Sequence, residues 1–225
     1  MSETLAIVPV RAGSKGLVGK NLMPLAGVPL WQRAAEQGAR MADRVIVTTD
    51  ADDILAATPA ERVTHLRRPT ELARDDTPMA PVLLHALADV APDTRVLLLQ
   101  ATSPLRSDAD IGAAFARFDE GGWSMVMSVT EADRGVLKWG RVEEGRFLPL
   151  GRPGDCFANR QSLPPVLRPN GAVYVFTAGA FREAGGFPSD RIGVVEMPDD
   201  RSLDIDDAAA FAEAERRLTQ SARSG

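Results

Sequence analysis

The run Ile7-Val8-Pro9-Val10-Arg11-Ala12-Gly13-Ser14-Lys15-Gly16-Leu17-Val18-Gly19-Lys20-Asn21 constrains this chain more than any other stretch. A short apolar segment ends in a loop that carries three glycines, three cations and a serine. Glycine lets backbone approach a ligand closely and turn its N–H groups toward it. Arg11, Lys15 and Lys20 add fixed positive charge to the same loop. A strand that feeds such a loop is how α/β proteins build anion sites, and this combination suits a polyphosphate. A surface loop with incidental lysines has the same composition and is the alternative.

The spacing departs from two standard phosphate loops. A P-loop needs Gly, four residues, then Gly-Lys-Ser/Thr. Here five residues separate Gly13 from Gly19, and Asn21 follows Lys20. The G-x-G-x-x-G fingerprint fails as well, because Gly13, Gly16 and Gly19 fall at every third position.

Beyond the loop, short apolar runs alternate with helical spacing. Leu5 to Val10 reads as a buried strand, and Pro29 to Arg40 as a helix with Leu30, Ala34, Ala35 and Gly38 on one face. Arg44 to Asp50 reads as the next strand. Asp50 is expected to cap the helix over 52–57, with a nucleotide or metal contact as the alternative. Val63 to Leu66 is a short strand, and Asp75-Asp76-Thr77-Pro78 opens a helix that runs to about Val90. His85 on that helix, and His65 before it, read as packed or partly exposed side chains rather than bases or ligands. Arg95 to Gln100 is the central strand, a helix from Ser107 or Asp108 runs to about Glu120, and Ser124 to Val129 is a further strand. This alternation predicts an α/β fold with a mostly parallel sheet and helices on both faces.

Between about Thr130 and Leu167 the pattern breaks. Leu137 to Leu150 reads as a hairpin-like insertion and Arg152 to Val166 as an irregular loop. Alternation resumes with a strand at Ala172–Phe176, a helix near 178–184, a strand near 192–195 and a last helix after Asp206 or Asp207. The Ser-Ala-Arg-Ser-Gly tail reads as disordered. The expected organisation is one domain over 1–225 with an insertion at about 130–170.

Near the C-terminal end, Asp204 and Asp206 are separated by one residue, so extended backbone projects both from one face and Ile205 from the other. Two hard oxygen ligands, completed by phosphate oxygens and water, describe a Mg2+ site. From spacing alone, a carboxylate pair stabilised by the dipole of the following helix is equally served.

Charge narrows the partners. A formal net charge of −5 argues against broad nucleic-acid binding, so an anionic substrate must be held by a local basic site. No apolar run approaches a membrane span and the N-terminus lacks a signal-like core, so no membrane partner is expected. The single Cys156 has no partner in the chain for a disulfide. These features lead to the expectation of a cytoplasmic protein.

Several blocks together resemble one family: the loop at 10–21, Leu66-Arg67-Arg68-Pro69-Thr70-Glu71-Leu72-Ala73, Leu98-Leu99-Gln100-Ala101-Thr102-Ser103-Pro104-Leu105-Arg106, Arg168-Pro169-Asn170-Gly171-Ala172-Val173-Tyr174, and Ser202-Leu203-Asp204-Ile205-Asp206. They are similar, in the same order and over most of the chain, to the cytidylyltransferases that activate sialic acid and related acidic sugars, the CMP-N-acetylneuraminate synthetases among them. The resemblance implies a three-layer Rossmann-like nucleotidyltransferase fold, CTP as one substrate, a small anionic acceptor of the nonulosonate type as the other, and a homodimer built partly by the insertion. It implies catalytic roles for Arg11 and Lys20 on the phosphates and for Asp206 near the acceptor hydroxyl, with Mg2+ held by Asp204 and Asp206. Ala12, Gly13, Ser14, Asn21 and Arg68 fall on nucleotide-binding positions, and Lys15 matches as a lesser cation. Gln100, Lys138, Arg160, Arg168, Asn170 and Tyr174 fall on or near acceptor-side positions. The sequence departs from the family pattern at Ala101, Met79 and the stretch Glu131–Lys138. Those departures leave open a phosphonate acceptor, of the phosphonoformate or 2-aminoethylphosphonate type, on the same scaffold. A sugar-1-phosphate nucleotidyltransferase and a non-catalytic nucleotide-binding module are the remaining alternatives.

Overall fold

The computed structural model describes residues 2–13 and 16–224. Ser14 and Lys15 therefore lie outside the described residues. In chain order the elements are β1 (Thr4–Pro9), a two-residue pair β2 (Pro24–Leu25) and β3 (Val28–Pro29), α1 (Leu30–Met41), β4 (Arg44–Thr49), α2 (Asp52–Ala56), β5 (Val63–Arg67), α3 (Met79–Ala86), β6 (Arg95–Leu99), α4 (Asp108–Asp119) and β7 (Met125–Ala132). There follow the hairpin β8 (Gly140–Glu143) and β9 (Arg146–Pro149), then β10 (Val166–Thr177), α5 (Ala178–Glu183), β11 (Ile192–Glu196) and α6 (Ala208–Ser224).

Seven strands form one sheet in the order β11-β7-β10-β6-β1-β4-β5. Every neighbouring pair is parallel except where β10 runs antiparallel to β6 and to β7. The alternation of β1 shows why the central strands are apolar throughout. Ala6 and Val8 pack with Val45, Val47, Leu97, Leu99 and the helices α1, α4 and α6, while Leu5 and Ile7 pack with Val96, Leu98, Leu83, Leu87 and Phe181 on the other side. Both faces are thus covered by helices, as a parallel sheet requires. The fold is three-layered α/β and Rossmann-like: the alternation predicted the mostly parallel sheet with helices on both faces, and the resemblance implied its Rossmann-like type.

The α1 face is the one expected, with Leu30, Ala34, Ala35 and Gly38 buried. Gly38 lets the helix approach the sheet closely: a Cβ there would stand 3.0 Å from the Ala6 Cβ and 3.3 Å from Val45. Ser107 caps α4 through a capping box, its hydroxyl accepting from the Asp110 N–H while the Asp110 carboxylate accepts from the Ser107 N–H. The hairpin β8–β9 closes through Glu144 and Gly145, both at positive φ (50° and 76°), the geometry of a tight turn matched to strand twist. The segment after it is irregular, with short 3-10 turns at Pro153–Phe157 and Arg160–Ser162.

Four sequence expectations need correction. Asp50 does not cap α2, whose N-cap is Ala51 without a side-chain bond; the Asp50 carboxylate instead accepts the Ala12 N–H at 2.9 Å. The helix expected from Asp75 begins only at Met79 and ends at Ala86, because Pro78 is extended and the Thr77 hydroxyl donates to the Glu71 carbonyl instead of capping. β10 starts at Val166, well before Ala172. Its first half pairs with Glu131 and Thr130 of β7 in spite of weak strand formers, with a register shift between Pro169 and Tyr174. The α6 helix continues through Ser224 across the tail expected to be disordered, since no Gly or Pro interrupts it before Gly225, which lies outside the described residues.

Candidate active site

In an open α/β sheet a ligand sits beyond the carboxyl ends of the strands where the strand order reverses. Here the chain builds β4 and β5 on one side of β1, then crosses to place β6 on the other. At that point a cavity of about 310 Å³ opens. Its lining joins Pro9, Arg11, Gly16, Lys20 and Asn21 from the first loop, Arg68 after β5, Met79 at the start of α3, Gln100, Ala101 and Thr102 after β6, and Asp204 and Asp206 before α6.

The loop and the acids are held together by direct bonds. Lys20 Nζ donates to the Ile205 carbonyl at 2.5 Å and to Asp206 Oδ1 at 3.1 Å. Lys20 is only 8% exposed, so its ammonium group is fixed against the acidic segment rather than solvated. Gly16 packs directly on the same segment, where a Cβ would fall 2.1 Å from the Asp206 carbonyl oxygen. The Ile205 N–H donates to the Thr102 carbonyl at 2.8 Å, which ties the acids to the turn after β6. Ile205 is fully buried while the Asp206 side chain is 80% exposed, so the one-residue spacing sends neighbours to opposite sides, as expected.

The electrostatics follow from this packing. Burial pushes the Asp204 carboxyl above the ordinary carboxylate range and the Asp206 charge adds to it, against a hydrogen bond from the Thr102 side chain and the charges of Lys20 and Arg168. Arg68 is 6% exposed; burial lowers its pKa, Asp50 opposes that and Arg11 reinforces it. Arg68 Nη2 donates to the Thr48 carbonyl at 2.7 Å, and its Nε is buried without a hydrogen-bond partner. Arg11 pairs through Nη1 with the Asp75 carboxylate. The Asn21 amide donates to the Arg11 carbonyl at 3.3 Å, so it supports the loop backbone. Gly13 stands exposed on the loop, and the Ala12 N–H is committed to Asp50.

The acceptor-side candidates divide. Gln100 lines the cavity, and Gly171 lies beside it, its position for a Cβ 3.7 Å from Gln100 Nε2. Arg168 is exposed on β10 and its charge is felt by Asp204. Tyr174 is held above its ordinary pKa by burial and then by the Asp204 charge, while its ring packs 5.5 Å from that of Phe187. Asn170 is 4% exposed and saturated by the protein itself: its Oδ1 accepts from Ser128 Oγ at 2.6 Å and the Ala172 N–H, and its Nδ2 donates to Ser202 Oγ at 2.9 Å. It links β7 and β10 to the segment before the acids rather than facing the cavity. Lys138 and Arg160 lie outside the cavity lining, and Arg160 pairs with Asp133 at 2.9 Å with 68% of its side chain exposed.

Three contributors carried no role in the sequence reading. Thr102 bonds Asp204, and its place just past an apolar strand is the signal that marks it. Asp75 carries only a helix-start signal in the sequence. Arg106 lies beneath the turn after β6, fully enclosed, with its pKa pushed down to about 9 by burial. It donates to the Gln100 carbonyl at 2.7 Å, the Ala172 carbonyl at 3.1 Å and Gln37 Oε1 at 2.8 Å, and so locks the cavity floor to β10.

Among the described residues, Asp204 and Asp206 offer the only hard anionic oxygens in the lining, and no group of three or more His, Cys, Asp or Glu forms a metal cage. Magnesium is usually held by one or two carboxylates together with substrate phosphates and water, so this pair fits it.

A family model described as Cytidylyltransferase matches residues 5–137. N-acylneuraminate cytidylyltransferase B of Danio rerio is 32% identical over 228 residues, covering 95% of this chain and 51% of its own length. The N-acylneuraminate cytidylyltransferase of Escherichia coli O18:K1:H7 (strain RS218 / NMEC) is 30% identical over 213 residues, with coverage of 93% and 51%. The chain thus spans about half the length of the curated relatives it matches. In three dimensions it is similar to CMP:2-keto-3-deoxy-manno-octonic acid synthetase complexed with CTP, with a TM-score of 0.74, 17% identity and coverage of 98% and 100%. It is also similar to 4-diphosphocytidyl-2C-methyl-D-erythritol synthase from Anaerococcus prevotii DSM 20548, with a TM-score of 0.64, 12% identity and coverage of 97% and 96%. These structures share its fold.

Proposed function

The chain belongs to the cytidylyltransferase family, and we propose from that premise that it joins CMP from CTP to a small acidic sugar of the sialic acid type and releases pyrophosphate. The observation that supports this reading is the meeting of Lys20 with Asp206 and Ile205 at one cavity, whose lining includes both the cationic loop and the paired acids. Nucleotidyl transfer asks little covalent help of a protein. It needs charge neutralisation on the phosphates and an acceptor oxygen aligned with the α-phosphorus, opposite the leaving pyrophosphate.

The residues divide along those lines. Arg11 and Lys20 bind the phosphates and hold the charge that grows on the departing pyrophosphate, with the backbone at Gly13 and Ser14 as further donors. Arg68, whose buried Nε lacks a partner, orients the nucleoside, and Asn21 holds the loop that carries Arg11. Asp204 and Asp206 would hold a magnesium ion, which when bound would supply Lewis-acid charge to the triphosphate. Asp206, whose side chain is open to solvent beside Lys20, would take the proton of the attacking hydroxyl in this reading. Gln100 and Arg168 receive the acidic acceptor, an arginine fork being suited to a carboxylate.

A homodimer belongs to the same proposal. Trp139, Val142, Phe147, Leu150 and Phe157, all on the excursion between β7 and β10, are 54% to 92% exposed, and a second copy would cover such apolar surface. Lys138 and Arg160 lie on that excursion and would act from it. A cytoplasmic setting, in which Cys156 stays reduced, completes the reading.

The test is release of pyrophosphate from CTP and magnesium in the presence of a panel of acceptors. Nonulosonate acids, N-acetylneuraminate among them, should support release and yield a CMP adduct, with UTP, GTP and ATP poor replacements for CTP. Activity with phosphonates alone would reassign the acceptor. Silence across the whole panel would overturn the reading.

A further inference from the structure

Arg11, the guanidinium assigned to the polyphosphate, is engaged by a carboxylate of its own protein, Asp75. The two side chains are 28% and 47% exposed, so the contact is within reach of a ligand entering from solvent. Asp75 lies between β5 and α3, on the segment that leads to Met79 in the cavity lining. Arg11 stands close enough to Arg68 to disfavour that group's charge, while Asp50 supports it. Two guanidinium groups therefore face one cavity, and Asp75 neutralises the outer one.

A carboxylate and a phosphate present the same kind of acceptor oxygens to an arginine fork. They cannot both take the N–H of Nη1 that Asp75 occupies, and the carboxylate charge beside the guanidinium repels the phosphate oxygens that would share it. We propose that Asp75 is a resident counter-ion that competes with the polyphosphate for Arg11 and so sets how tightly the nucleotide is held. On binding, the phosphate chain takes over the guanidinium and the Asp75 carboxylate gives it up. An exposed ion pair is weak in water, so a multiply charged chain displaces it readily, yet the contact still lowers affinity. Asp75 in this role is a positioning residue acting through Arg11. The identity of the anion rests on the cytidylyl-transfer reading; the competition does not.

The experiment is calorimetric titration of the wild type, Asp75→Asn and Asp75→Glu with two probes, CTP with magnesium and inorganic tripolyphosphate, at low and high salt. Asp75→Asn should bind both probes roughly two- to fivefold more tightly at low ionic strength. That gain should shrink at high salt as the competing charge is screened. Asp75→Glu should restore wild-type affinity. Equal or weaker binding by Asp75→Asn would overturn the proposal, because a carboxylate that merely props Arg11 in place gives that result. Wild type that binds tripolyphosphate but not CTP would overturn the cytidylyl reading and leave the competition standing. Wild type that binds neither probe would overturn both.

Discussion

Lys20 Nζ stands 3.1 Å from Asp206 Oδ1, joining two residues 186 positions apart in sequence. The ammonium group also takes the Ile205 carbonyl, so a loop at one end of the chain fixes the backbone of the acids at the other. Replacing it by Met keeps the stem and removes the charge. Lys20→Met should lower CTP-dependent turnover by roughly 10²–10³, the usual effect of deleting one preorganised electrostatic contact. Pyrophosphate release measures it; a loss under tenfold would remove Lys20 from the machinery.

Gly16 supplies the close approach that lets this contact form. A Cβ there would sit 2.1 Å from the Asp206 carbonyl oxygen, so Gly16→Ala must push loop and acids apart. The expected result is a fall of at least about tenfold in kcat/KM, since displacements of about 1 Å are felt strongly in transfer reactions. The core is untouched, and the melting temperature should change little.

Asn170 separates a structural from a binding role. Its side chain is saturated by Ser128, Ser202 and the Ala172 N–H, away from solvent. Asn170→Leu strips the buried Ala172 N–H of its acceptor and the Ser128 and Ser202 hydroxyls of one partner each, and should destabilise the protein by about 2–4 kcal/mol. Denaturant melts check this. Among molecules that remain folded, the KM for the acceptor should be unchanged.

Asp110 contributes a loss of stability at acid pH. Burial raises its pKa, but the forked bond from Arg201, at 2.9 and 3.0 Å, and the bonds from Ser107 outweigh that and hold it below the ordinary carboxylate value. A depressed folded-state pKa means stability that is present above the unfolded value and lost as pH falls through the folded one. Asp110→Asn loses part of the α4 cap and the ionic fork, costing about 2 kcal/mol near neutrality. For a chain of this size that is roughly 4–8 °C in melting temperature. The difference from wild type should begin to close as pH falls through the unfolded value of about 4, and should vanish only below the depressed folded-state value, where Asp110 at last loses its charge.

Legibility followed burial. β1, β4 and β6 are enclosed on both faces and so read as apolar runs, and α1 announced its buried stripe at Leu30, Ala34, Ala35 and Gly38. The start of α3 misled, because Thr77-Pro78 has cap-like chemistry that the neighbouring Glu71 carbonyl claims instead. The first half of β10 was hidden, because Arg168-Pro169-Asn170-Gly171 has little strand tendency and is held by β7. Asn170 illustrates the limit most sharply: a polar residue in a recognisable block has the same letter whether it meets a ligand or a buried hydroxyl.

By itself, the order of residues determined the alternating α/β architecture, the cationic glycine loop and the same-face acids, because each depends on periodicity or spacing within a few positions. Tertiary structure alone decided that Lys20 reaches Asp206, that Gly16 must lack a side chain, that Arg11 meets Asp75 and that Asn170 turns inward. Those facts depend on which distant segments share a sheet edge, and distance along a chain carries no record of that.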